Sequence, residues 1–409
     1  MNWKDKNILI TGVGGFAGSY LAEELLNQKA NVYGLIRRRA DGTKAKNLID
    51  HGIENSVKTI EGDLTEITSL TNALEISEPE YIFHLAAQSF VPRSFENSPE
   101  TQMINCIGTA NLLDATRKTD SDAKVVFAGS SEEYGLVIST EDQYKQAKKE
   151  YGTIFPEPVN IPEVPIKETN PLRPMSPYAV SKVYGDHLMQ NYYHSYGLNT
   201  VVSRAFNHEG AGRGLMFVTS VVTNQVMKLK FGEIDKITIG NLNAFRDWSH
   251  VKDIVNGYMT LAENGKSGEV YNQGSMRTNS VLSYILLGLK EAGWNMGKIE
   301  TFNGDKSIDN PTEIDNSAIY GVKFDKTVVD TMILDGKLEY TLEDRGIKVH
   351  TDKGIIPIEF NPDRFRPAEV PILFADTEKI QGIGAKIEHS LNDIIMDQLN
   401  YFLKKENRL

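Results

Sequence analysis

The chain has 409 residues, 40% of them hydrophobic and 24% charged, with a formal net charge of −11. This balance suits one large or two moderate globular units, and with no basic block beyond "IRRRA" at Ile36 to Ala40 it gives a nucleic-acid partner little electrostatic support. The single cysteine, Cys106, excludes an internal disulfide and a multi-thiolate metal site.

No run reaches the roughly 18 apolar residues of a membrane span, and a strand pattern begins too early for a secretory leader. The expectation is therefore a soluble, cytoplasmic protein with no metal and no membrane or nucleic-acid partner. In chain order, "NILITG", the helical "GSYLAEELLNQ", "NVYGLI", "VKTIEGD", the helical "SLTNALEI" and "YIFHLAA" alternate strand and helix. That rhythm predicts an α/β fold, a doubly wound parallel sheet of Rossmann type with helices on both faces. A long helix, "TQMINCIGTANLLDATR", and another strand, "AKVVFAGSS", continue it. Residues 1–205 are expected to form a dinucleotide-binding domain to which 245–275 returns. Residues 206–409 are expected to form mainly a smaller mixed α/β substrate domain.

The first strand-to-helix turn is "TGVGGFAG", Thr11 to Gly18. Gly12 suits the tight turn, Gly15 admits a pyrophosphate against backbone, and Gly18 lets helix pack on strand. At the end of the second strand stands "GLIRRR", with no carboxylate and three guanidiniums at Arg37, Arg38 and Arg39. A ribose 2′-phosphate matches them in charge and geometry, so NADP is the expected cofactor; a solvated basic turn is the plain alternative. The next strand ends in "AGSSEEYG", which sets Ser130, Glu132 and Glu133 at the mouth of a buried run, where an unused carboxylate is costly. In "SPYAVSK", Tyr178 and Lys182 lie one helical turn apart, and an ammonium beside a phenol favours the phenolate needed for acid–base work. Residues 138–163 read as an insertion. Residues from about 305 to 358 read as a β-rich insertion of antiparallel strands joined by tight turns such as "TDKG".

Together with "HLAAQSFVPRSF", "RAFNHEG", "FRDWSHVKD" and "RPAEVP", these motifs resemble the extended short-chain dehydrogenase/reductase superfamily. Within it they are most similar to GDP-mannose 4,6-dehydratases and the related GDP-4-keto-6-deoxymannose reductases. The resemblance covers residues 5 to about 300 and resumes near 360. It implies NADP bound by Gly12, Gly15, Phe16, Gly18, Arg37, Arg38, Asp63, Leu64, Leu85, Ala86 and Ala87, with Tyr178 and Lys182 beside it.

The resemblance also implies a redox-neutral dehydration of a GDP-hexose. Ser130 holds the sugar 4-hydroxyl, Tyr178 takes its proton as hydride leaves C4, and Glu132 removes the C5 proton as the 6-hydroxyl departs. Substrate contacts are implied at Gln88, Ser89, Asn207, Arg213, Arg246, Arg366 and Glu369, with His208 a weaker candidate. The chain departs from the family in having Ser130 for a threonine, Glu133 for an apolar residue and Val221 for a lysine. For Glu133 a solvated or structural carboxylate is expected. A homodimer or homotetramer is implied, through paired helices that include the one starting near Tyr178. The alternatives are a 4-keto-6-deoxy sugar reductase or an epimerase, which use the same Tyr and Lys, and a catalytically silent NADP-binding regulator.

Overall fold

Seven short apolar runs assemble into one parallel sheet. In the computed structural model, which describes residues 2–38, 40, 42–365 and 369–408, they are β1 (Asn7–Thr11), β2 (Asn31–Ile36), β3 (Lys58–Glu61), β4 (Tyr81–His84), β5 (Lys124–Ala128), β6 (Thr200–Ala205) and β7 (Val270–Gln273). Their order is β7-β6-β5-β4-β1-β2-β3. Every neighbouring pair is parallel, as expected of strands such as "KVVFA" that are buried on both faces. Helix α1 (Phe16–Asn27) and the helix Val251–Asn264 cover one face. The helices Ile67–Ser77 and Gly108–Lys118 cover the other, together with α2 (Pro177–Tyr196). α2 approaches β5 so closely that a Cβ on Gly185 would meet the Phe127 ring at 2.4 Å. The strand order reverses between β1 and β4, which opens a crevice at their carboxyl ends.

A second, five-stranded sheet runs in the order 307–309, 296–301, 346–351, 354–360 and 237–239. Its last pair is parallel and the others are antiparallel. The helices Val218–Lys230, Val281–Glu291 and Leu391–Tyr401 bury it in a separate core. The "TDKG" hairpin forms as expected, pairing Thr351 with Gly354. The rest of the 305–358 expectation needs correcting. "VKFDKTVVDTMIL" gives only the two-residue strand Lys326–Thr327 and then a helix, Val328–Leu334, while "KLEYTLE" contributes one short 3-10 turn. The cause is a capping box: Thr327 Oγ1 accepts the Asp330 N–H and the Asp330 carboxylate accepts the Thr327 N–H, which starts a helix inside an apolar run.

Residues 138–163 form a helix, Glu141–Tyr151, capped by Thr140, and then an irregular return. The end of that return is pinned by a buried bidentate pair, Arg173 to Glu163, at 2.7 and 2.8 Å.

Candidate active site

The strand ends of the main sheet deliver the candidate residues to one crevice, made of two cavities that share Gly12, Gly15, Ala86 and Ala87 as walls. Gly12 has φ +79°, and a Cβ there would lie 2.7 Å from the Ala86 amide nitrogen; a Cβ on Gly18 would lie 2.2 Å from the Gly12 carbonyl oxygen. Side chains are excluded from the floor of the turn, and the amino end of α1 faces the space that remains. That geometry suits a pyrophosphate.

The first cavity, about 850 Å³, carries Arg37, Arg38, Asp63, Leu64 and Gln88 on its walls. The carboxylate of Asp63 accepts two bonds from Thr65, both 2.8 Å, and lies below the usual carboxylate range because of them. Gln88 spends its side-chain amide on Phe90 and Thr101. With glycines under the pyrophosphate position and two arginines at the far end, this donor set fits a dinucleotide carrying a 2′-phosphate. Arg39 lies outside the described residues.

The second cavity, about 620 Å³, brings together Phe16, Leu85, Ser89, Ser130, Glu132, Tyr178, Lys182, Asn207 and Arg213. Ser130 caps a 3-10 turn, Ser131–Glu133, at the end of β5: its Oγ accepts the Glu132 N–H at 3.2 Å, while Glu133 accepts the Ser130 N–H at 2.7 Å. Tyr178 and Lys182 face this turn from the buried side of α2.

The expected depression of the phenol by Lys182 is not what the structure gives. The ammonium donates to the Ala128 carbonyl at 2.6 Å and stands 5.9 Å from the Tyr178 ring centre. Burial holds the phenol well above its ordinary value; a hydrogen bond with Ser130 opposes this, and the charges of Glu132 and Glu133 reinforce it. Burial likewise brings Lys182 down to about 8.

Asn207 Oδ1 and Arg213 Nε are buried and find no hydrogen-bond partner among the described residues. The Arg213 guanidinium lies 3.5 Å over the Phe217 ring and 5.1 Å from that of Phe16. His208 stacks on Phe16 and is held neutral by burial, its pKa brought down to about 3.

Two substrate candidates stand apart from both cavities. Arg246 donates to Glu369 Oε1 and to the Val370 carbonyl, each at 2.7 Å, so the two predicted contacts are paired with each other. Arg366 lies outside the described residues. Where the family's lysine is replaced by Val221, a third cavity of about 560 Å³ opens beside Leu215. Lys228, seven residues on along the same helix as Val221, and Arg364 line it.

The sequence reading missed the wall contributed by the chain's end. Tyr401, Phe402, Glu406 and Asn407 border the second cavity, and Lys46 donates to the Tyr401 hydroxyl at 2.7 Å. The amphipathic run Leu391–Tyr401 was the one available signal, and it gave no direction. Of the two forms expected for Glu133, the structure has the structural one: the side chain is fully buried and its carboxylate accepts the Ser130 N–H.

The sequence model of the NAD dependent epimerase/dehydratase family matches residues 8–274. A GDP-mannose 4,6-dehydratase of Yersinia enterocolitica is 32% identical over 91% of this chain and 87% of its own length. One from Vibrio cholerae is 32% identical over 98% and 95%, and the human enzyme of that name is 32% identical over 76% and 83%. Among solved structures, RMD from Pseudomonas aeruginosa complexed with NADPH superposes with a TM-score of 0.63 at 20% identity, covering 97% of this chain and 99% of that one. A UDP-glucose 4-epimerase from Thermotoga maritima with UDP-glucose gives 0.66 at 22% identity, covering 98% and 99%. The glycine turn, the Ser-x-Glu strand end and the Tyr-x-x-x-Lys helix thus sit in a chain that belongs to the NAD dependent epimerase/dehydratase family.

Proposed function

We propose that this protein is a nucleotide-sugar 4,6-dehydratase that converts GDP-mannose to GDP-4-keto-6-deoxymannose with bound NADP. The observation that carries the reading is the juxtaposition, on one cavity, of the Ser130–Glu132 turn with Tyr178 and Lys182. The relatives named GDP-mannose 4,6-dehydratase supply the substrate.

When bound, NADP supplies both the acceptor and the donor of hydride and a positive ring charge. Burial keeps the Tyr178 phenol protonated in the protein alone; beside the positive ring charge and Lys182 it would ionise, and as the phenolate it would take the proton of the sugar 4-hydroxyl, which Ser130 orients. Once C4 is a ketone the C5 proton is acidic; Glu132 would remove it and pass it to the departing 6-hydroxyl, which leaves as water, and the C5–C6 double bond so formed would be saturated by the returning hydride at C6 and a proton at C5. Lys182, anchored on Ala128 O, fixes the floor of the site and keeps positive charge near the phenol.

Asn207 would donate its side-chain amide N–H, and Arg213 the outer nitrogens of a guanidinium that is stacked on Phe217 and held 3.5 Å from Glu209 through Nε, to the diphosphate. On the adjoining cavity Lys228, Lys236 and Arg364 stand with Glu233 and Asp235, and Lys228 and Arg364 are the cations that would stand in for a lysine at Val221. Arg246 and Glu369 serve the substrate through the segment they clamp, and Arg366 adjoins that segment in sequence. Residues 1–205 with 245–275 hold the cofactor, and the remainder holds the sugar nucleotide.

The exposed apolar side chains of α2 and its neighbouring helices, Phe95, Met103, Ile107, Val180 and Tyr184, support a homodimer or homotetramer.

Incubation with GDP-mannose and no added cofactor, followed by mass spectrometry, tests the reading. Loss of one water without consumption of NADPH is expected. Stoichiometric NADPH oxidation on a 4-keto sugar, with no dehydration, would replace it with the reductase reading.

A further inference from the structure

Behind the catalytic turn lies a buried charged trio that the mechanism does not use. Glu133, Asp186 and Arg204 come from the turn after β5, from α2 and from β6 respectively, and all three are buried, the two carboxylates completely. Arg204 Nε donates to Asp186 Oδ2 at 2.7 Å and faces Glu133 Oε2 at 3.4 Å. Its Nη1 reaches the Tyr134 hydroxyl at 3.1 Å and the Glu168 carbonyl at 3.0 Å. The other oxygen of Glu133 accepts the Ser130 N–H at 2.7 Å.

A charged cluster of this kind is costly to bury, and apolar side chains of equal volume often stabilise a fold as well or better. Its presence therefore calls for a role, and its geometry indicates one. Asp186 lies one helical turn beyond Lys182 on the same buried side of α2, and Glu133 follows Glu132 directly. The trio thus ties the backbone that carries Ser130 and Glu132 to the helix that carries Tyr178 and Lys182.

We propose that Glu133, Arg204 and Asp186 form a positioning unit that sets the distance and orientation of the Ser130–Glu132 turn relative to Tyr178 and Lys182. The unit works through hydrogen bonds more than through net charge. Two carboxylates sharing one guanidinium leave a surplus negative charge without solvent, and burial together with the Asp186 carboxylate drives Glu133 toward its neutral acid form. A neutral acid still accepts the Ser130 N–H, so a side-chain amide can stand in for it and an alkyl group cannot. This inference rests on the dehydratase reading for the identity of the step that suffers.

The test compares Glu133→Leu with Glu133→Gln, each alone and in the Glu132→Gln background. Water loss from GDP-mannose and solvent exchange at C5 are followed, with thermal melting as a control. Misplacement by about 1 Å costs on the order of 10²-fold, so Glu133→Leu should lower kcat by that order with KM for GDP-mannose unchanged. Glu133→Gln should restore most of the rate. In the Glu132→Gln background, Glu133→Leu should cost little more, because the base it positions has already been removed. A purely structural residue would lower the melting temperature while leaving kcat per folded molecule intact.

Should Glu133→Leu not fold, the triple variant Glu133→Leu, Arg204→Leu, Asp186→Asn removes the trio without stranding a charge, and the same loss of kcat is expected. Wild-type kcat in the Leu variants, equal damage from Gln and Leu, or a full additive loss in the Glu132→Gln background would each overturn the proposal. If the unmodified protein reduces a 4-keto sugar and never eliminates water, it is the dehydratase reading that falls. The same order of variants is then expected on the reduction, which also depends on Ser130 and Tyr178.

Discussion

To take a proton from carbon, a carboxylate must reach the substrate, and of the two consecutive glutamates only Glu132 stands on the cavity wall, while Glu133 points back into the protein. This division leads to different outcomes for substitutions one residue apart. Glu132→Gln preserves shape, so cofactor and substrate binding should survive and the first oxidation at C4 should still occur. The variant should then stall at the 4-keto stage. Removing a general base costs about 10²- to 10⁴-fold, so water elimination and solvent exchange at C5 should both fall by that order. Tyr178→Phe should abolish the oxidation as well, since Tyr178 is the group assigned to take the 4-hydroxyl proton. Single-turnover absorbance of the reduced nicotinamide, paired with mass analysis of the sugar, separates the two phenotypes. Normal water loss by Glu132→Gln would remove Glu132 from the role of base.

Among the elements, those that position the site locally were the ones legible in the sequence. The glycine turn and the Tyr-x-x-x-Lys pair are set by spacings within one turn or one helix, and the strand alternation of the first half follows from side chains buried on both faces of a parallel sheet. What was not legible depends on contacts between distant segments. Arg246 meets Glu369 123 residues further along the chain, and the wall formed by Tyr401 and Asn407 borders the same cavity as a turn near the amino terminus. The 326–334 run misled because a capping box, not its alternating apolar residues, decided its conformation. The loop after β2 was legible in charge alone: Arg37 and Arg38 were read as a 2′-phosphate site, and both line the cavity where that phosphate would lie. Replacing both by alanine should weaken NADP far more than NAD. An exposed or half-exposed guanidinium paired with phosphate is worth about 1.5–3 kcal/mol as a hydrogen bond to a charged group, so losing two such contacts should lower NADP affinity by at least an order of magnitude. Calorimetric titration of both dinucleotides into the unmodified and the double-variant protein measures this. Tighter binding of NAD than of NADP by the unmodified protein would sink the assignment.

For the whole molecule, the same helix that carries the chemistry on its inner side leaves an apolar stripe outside. On α2, Tyr178, Lys182 and Asp186 are buried, while Val180 and Tyr184, four residues apart, are 48% and 40% exposed. In the chain segment packed alongside, Met103 and Ile107 repeat the spacing at 51% and 44%, and Phe95 adds a second aromatic ring at 38%. A contiguous apolar face on two adjacent helices suits a two-fold interface, in which the same patch meets its own copy and four helices form the seam. Such a seam would also stiffen α2 and, through Asp186, the catalytic turn. Light scattering at micromolar concentration should therefore return twice the chain mass or a further doubling of it. Val180→Glu places a charge near the centre of the stripe, and burying an unpaired carboxylate there costs several kcal/mol, enough to move a micromolar sample to monomer. Its fold should persist, because Val180 contributes little to the chain's own core. If the seam stiffens the site, the monomeric variant should also lose kcat. A monomeric mass for the unmodified protein would refute the interface, and an unchanged kcat in a monomeric Val180→Glu variant would separate assembly from catalysis.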